Sequence, residues 1–202
     1  MIIRNKLKKI DLSKPGAITE IDLILHSIED MPNLSLGQIF TLCPEREDIG
    51  SILVGLCASF YFLRSTPFNF TEWKPYKNRD FSSEEKKLII SGLLNVIKYS
   101  HIESSDEIDA IDYIYAACIA LYKISPEKIE AELVKELKLK PTESLIEALG
   151  MLVGHSFKGY ITKETFLLLK HFAEKNSGGL SDRAKIVLKE DVERMNAIYH
   201  FL

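Results

Sequence analysis

Apolar residues along this 202-residue chain recur mainly at helical spacing, and no run of strict apolar–polar alternation competes with it. Ile18, Ile21, Leu25 and Ile28 form the first stripe, and Pro32 in "DMPN" closes it. Ser35 is placed to cap a short helix through Ile39 and Phe40 that ends before Pro44. Pro44 suits the first turn of the next helix, with Glu45, Glu47 and Asp48 where the positive end of the dipole favours acids. From Ile49 to Leu63 no charge interrupts "IGSILVGLCASFYFL". That run is shorter than the roughly 20 residues a membrane span needs. Fenced by Asp48 and Arg64, it reads as a helix buried on nearly all sides, including at Gly55 and Ala58.

Helix starts are signed again further on. Ser82 stands three residues before Glu85, a capping-box pattern, and Leu88, Ile89, Leu93, Val96 and Ile97 follow as a wide apolar face. Ser104 and Glu107 repeat the signal before Ile108, Ile111, Tyr115, Cys118 and Tyr122. Alanines at 110, 116, 117 and 120 thin that helix, so neighbours are expected on more than one side. Ser125 as cap and Pro126 in the first turn open a helix with a narrow stripe, Ile129, Leu133 and Leu137, which belongs on the outside. Leu145, Leu149 and Leu152 mark the next helix, and Phe166, Leu169 and Phe172 the one after, ended by Gly178 and Gly179. Ala184, Leu188, Met195 and Tyr199 line one side of the last.

The expectation is an all-α chain of roughly eight or nine antiparallel helices. It reads as one helical domain over 1–202, with a long crossover at 65–81 between an N-terminal part (1–64) and a helical-hairpin part (82–202). Helix starts in the second part recur at about 37 residues, a period between the tetratricopeptide and HEAT lengths. Ile146, Leu149, Gly150, Val153 and Phe166 fit the tetratricopeptide order of sizes, but Thr162 stands where a small alanine is wanted. The second half thus reads as stacked hairpins of no assigned family, or as an irregular bundle that gives the same spacing.

Composition narrows the function classes. Hydrophobic residues make up 46% and charged residues 27%, as in ordinary globular chains. The net charge of −3 offers nucleic acid no strong attractive field, despite Arg4, Lys6, Lys8, Lys9 and Lys14 near the start. Cys43, Cys57 and Cys118 are far apart and show no CxxC spacing, which fits small core thiols in a reducing compartment. "MIIRNKLKKIDLSK" has no apolar stretch behind its charges, so a cytoplasmic protein is expected, without a membrane or nucleic-acid partner.

Catalytic patterns are scarce. "GHSFKG" has its glycine three places after Ser156 and a helical pattern before it, so it is not a nucleophile elbow. No histidine pair at i, i+4 and no glycine-rich phosphate cradle of the common types occurs, and no cofactor is expected. The acidic run "SSDEIDAIDY" is the most enzyme-like feature. Asp106, Asp109 and Asp112 could hold a divalent metal if a second acidic cluster, such as "EDVE" at 190–193, faced them. Acids near a helix N-terminus are also favoured simply by the dipole.

The remaining oddity is "RSTPFNFTEWKPYKNRDF", residues 64–81, where the only tryptophan and four other rings sit among Pro67, Pro75 and short polar runs without helical spacing. Loops longer than about 12–15 residues are uncommon in compact domains and are usually functional or disordered. Phe68 and Phe70 are expected to tuck back onto the helices. Trp73 and Tyr76, with Arg64, Lys74, Lys77 and Arg79, are the candidate partner-binding residues, because aromatics and arginine are enriched at binding hot spots. The sequence therefore favours a non-enzymatic helical module that binds another protein, for example an inhibitor or immunity-type protein masking its partner. The alternatives are a metal-dependent helical enzyme using the aspartates, and a small-ligand site lined by Tyr113, Tyr115 and Tyr122.

Overall fold

A computed structural model describes residues 2–63, 80–102, 107–154 and 161–189. Among them the chain is all-helical, with ten α-helices, one 3-10 turn and no strand. In chain order these are α1 (Ile2–Leu7), α2 (Ala17–His26), the 3-10 turn Met31–Asn33, α3 (Leu36–Phe40), α4 (Glu47–Leu63) and α5 (Ser83–Tyr99). They are followed by α6 (Glu107–Ile124), α7 (Ile129–Leu139), α8 (Glu143–Gly154), α9 (Lys163–Lys175) and α10 (Gly179–Val187). The chain divides into two compact units, Met1–Ile124 and Ser125–Leu202. None of the described helices is long and apolar enough to cross a membrane.

In the first unit α4 is the central element, packed against α2, α3, α5 and α6. Every residue from Ile49 to Phe60 is buried, as the uncharged run demands. Each fully buried leucine or isoleucine there contributes on the order of 1.5–3 kcal/mol of transfer free energy. Small residues allow the crowding: the alanines at 110, 116, 117 and 120 on α6 are all buried. Cys43, Cys57 and Cys118 are buried and belong to no disulfide among the described residues.

Of the two capping boxes read from the sequence, the one at Ser82 forms and the one at Ser104 lies outside the described residues; the cap expected at Ser35 forms as a full box. Ser35 accepts from the Gln38 amide while the Gln38 side chain returns to Ser35, and Ser82 and Glu85 make the same exchange. Two starts differ from expectation. Pro44 lies in a turn closed by the Arg46 amide on the Cys43 carbonyl (2.9 Å), and α4 begins only at Glu47. Arg46 dictates this: its guanidinium forks onto Asp48, with Nε–Oδ1 and Nη2–Oδ2 both 2.9 Å, and also donates to the Ile10 carbonyl at 3.1 Å. The short α1 escaped the sequence reading, since six residues carry too little periodicity. Its Arg4 donates to Glu45, and Lys8 lies 2.8 Å from the same carboxylate.

In the second unit, α7 packs on α8, and α10 packs on both α8 and α9. Leu145, Leu149 and Leu152 of α8 are fully buried, as are Leu133 and Leu137 of α7. Ser125 does not cap α7. Its carbonyl instead accepts both the Lys128 and Ile129 amides at 3.2 Å, so Pro126 sits in a turn and the helix starts three residues later than the sequence suggests. Gly178, at φ 72, does not end α9 directly but turns the chain into α10, a conformation that favours glycine.

Candidate functional site

The candidate partner-binding residues Arg64, Trp73, Lys74, Tyr76, Lys77 and Arg79 lie outside the described residues, as does Asp106. Asp109 falls within the span of α6, but its side chain is outside the described set; Asp112 is exposed on that helix. Among the described residues no three His, Cys, Asp or Glu side chains come together to hold a metal ion. Of the tyrosines of α6, Tyr115 and Tyr122 are seven residues apart and lie on one face of the helix, and Tyr113 lies on another. Tyr113 and Tyr115 leave the helix about 200° apart. The first turns to Asp22, and the second is 37% exposed.

Two polar arrangements that the sequence did not announce are found instead, one in each unit. The first centres on Asp22, which α2 places on the same buried face as Ile18, Ile21 and Leu25. The Tyr113 hydroxyl donates to Asp22 Oδ2 at 2.7 Å, across 91 residues of chain. His26, one turn further along α2, brings Nδ1 to 3.4 Å from Oδ1. Its ring packs, tilted, against Phe60 with centroids 5.4 Å apart. Burial raises the Asp22 pKa above the ordinary carboxylate value, while the Tyr113 hydrogen bond and the nearby His26 pull it down; burial prevails. Cys57 is pushed well above the usual thiol range by its own burial and by the charge of Asp22. A thiol so held is no nucleophile. The Asp22 and His26 side chains are only 13% and 18% exposed, so this group ties helices together rather than meeting a substrate.

The second arrangement lies in the second unit. Glu130 of α7 is 3% exposed, and its Oε1 accepts the Thr162 amide (2.7 Å), the Thr162 hydroxyl (2.8 Å) and the Thr165 hydroxyl (2.5 Å). Thr162 is the N-cap of α9, its hydroxyl accepting the Thr165 amide. The carboxylate thus sits at the positive end of α9, where charge-assisted hydrogen bonds and the helix dipole offset the loss of water. Beside it opens a groove of about 550 Å³ between α7 and the start of α9. Ala131, Val134 and Leu139 give the groove its apolar surface, and Glu127, Glu130, Lys135, Lys138 and Glu164 are its ionisable residues. Lys138 bridges to Glu164 on the α9 side at 2.7 Å. Leu139 is 70% exposed.

No protein-family model, curated protein or solved structure matches this chain. The geometry alone therefore has to suggest a function. It separates the two arrangements by access: the Asp22 group is mostly buried, whereas the groove beside Glu130 is open and partly apolar. A signal for the groove was present in the sequence, since Ala131 and Val134 lie off the Ile129–Leu133–Leu137 stripe of a short helix. Glu130 itself carries no such mark, because its partners are 32 and 35 residues away.

Proposed function

We propose that this chain is a helical protein-binding module that acts by occupying a surface of another protein. The observation that carries this reading is the groove along α7, where exposed Leu139 and the apolar Ala131 and Val134 lie between charged residues. An apolar strip with a charged rim is the composition that receives an amphipathic helix from a partner. The ring-rich segment 64–81 supplies a second candidate contact by composition alone. Masking of a partner by an inhibitor or immunity-type protein is the specific form this function would take.

The test is affinity capture by the purified chain from its native host, run in parallel with Val134→Glu and Trp73→Ala. A partner bound by the parent chain, and lost with at least one folded variant, is the expected result. A partner retained by both variants would remove both surfaces. Capture of nothing by any of the three would sink the binding function itself.

A further inference from the structure

Resting on the reading of the α7 groove as a docking surface, we infer that its occupant in the free protein is a second copy of this chain, laid antiparallel along α7. Charge order along the groove carries the inference. Glu127 lies at one end, just before α7 begins, and Lys135 and Lys138 at the other, where Glu164 offsets part of their charge; Ala131 and Val134 lie between them. A groove polarised in this way is complementary to itself when one copy is reversed. With a two-fold axis passing between residues 132 and 133, Glu127 meets the other copy's Lys138, and Ala131 meets the other copy's Val134. The same register sets the exposed Leu139 beside the other copy's Pro126, which is also exposed. The symmetry makes each of these contacts twice, as a closed two-fold interface requires. A parallel arrangement would instead set lysines against lysines.

The individual side chains are free to do this. Glu127 is exposed and forms no ion pair among the described residues. Lys138 already bridges to Glu164, but an ammonium has three donors and its side chain is 51% exposed, so a second carboxylate fits. Among the described residues Lys135 pairs with Glu132, at 3.8 Å. Because α7 has 11 residues, the contact is short. Exposed ion pairs contribute little each. The dimer is accordingly weak and salt-dependent, and it leaves the groove open to exchange with a tighter partner.

Sedimentation velocity of the full chain, over a concentration series at low and high salt, tests this. The parent chain is expected to form a dimer that weakens as salt is raised. Glu127→Lys and Lys138→Glu should each weaken self-association at least tenfold, since each sets like charges against each other twice. An equimolar mixture of the two variants should recover the dimer, because every pair is then of opposite sign. Circular dichroism checks that both exposed-site variants keep their helices. A parent chain that stays monomeric up to the highest concentration overturns the inference. So does a dimer indifferent to both substitutions, or a mixture that fails to recover. Capture of another protein through Val134 by a chain that never dimerises would overturn this inference alone and leave the binding function standing.

Discussion

Gly55 and Gly92 meet backbone to backbone where α4 crosses α5. A Cβ placed on Gly55 would lie 2.3 Å from the Gly92 carbonyl oxygen, and one placed on Gly92 would lie 2.5 Å from that of Ser51. No flexible side-chain end is in the way; the obstacles are main-chain atoms, so the helices themselves must separate. Asn95 fixes the same crossing by donating to the Ser51 hydroxyl at 3.1 Å. Gly92→Ala and Gly55→Ala are each expected to cost at least the roughly 1–3 kcal/mol typical of overpacked cores. Urea unfolding followed by circular dichroism reads this directly. A variant as stable as the parent would mean that α4 and α5 do not approach this closely.

The central position of α4 gives a second expectation. Leu56 is fully buried within it. Leu56→Asp would bury a carboxylate with no partner, a cost of several kcal/mol that exceeds what most domains can lose. The variant should be insoluble or lack cooperative unfolding. A soluble, helical protein with a sharp melt would remove α4 from the core.

How much of this could be read beforehand follows from the range of the interactions. Helix caps are local, and the cap at Ser35 and the capping box at Ser82 form where the sequence places them. The burial of α4 was equally legible, because fifteen residues without a charge leave little alternative. Where a distant residue decides, the sequence misleads: Arg46 reaches back to Ile10, and α4 starts at Glu47 instead of in the turn holding Pro44. The sequence marks Gly55 as a crowded position but not Gly92 as the backbone it meets. Asp22 and Glu130 resembled any other acid on a helix, since their partners come from α6 and from the start of α9.

Glu130 supports a prediction confined to the second unit. Removing its carboxylate leaves the Thr162 amide and two hydroxyls without their acceptor at the start of α9. Glu130→Ala is expected to cost about 1–3 kcal/mol, the penalty for leaving buried polar groups unsatisfied. Glu130→Gln, which keeps the accepting oxygen, should cost clearly less. Hydrogen exchange gives the local readout: faster exchange in the first turn of α9 for the alanine variant, and near-parent rates in α4. Equal losses in the two variants would mean that packing, rather than the acceptor, is what Glu130 supplies.

Asp48 and Asp22 should respond to acid in opposite directions. The Arg46 fork holds Asp48 below the ordinary carboxylate value of 3.8, so its contribution is present above that value and is lost as pH falls through the lowered one. Arg46→Ala should therefore lower the melting temperature at pH 7, and the gap to the parent should narrow in strong acid. A gap that stayed constant with pH would assign the effect of Arg46 to its bonds with the Ile10 and Lys8 carbonyls alone.

For Asp22 the sign reverses. Its folded pKa lies above 3.8, so the contribution it makes is fully present below that value and is lost as pH rises through the raised one. Ionisation of Asp22 runs against the cost of burial, with Tyr113 and His26 returning only part of it. Asp22→Asn keeps the shape and an oxygen for the Tyr113 hydroxyl, but carries no charge to bury. The variant is expected to be more stable than the parent at pH 7. The difference should vanish near pH 3.5, where both side chains are mostly neutral. Tyr113→Phe should move the other way, costing stability at pH 7 because the buried carboxylate loses its donor. Chemical denaturation of the three proteins across pH 3.5 to 8 separates these outcomes. An asparagine variant less stable than the parent at pH 7, with the deficit closing in acid, would show that pairing with His26 outweighs burial and that Asp22 is held as a charge.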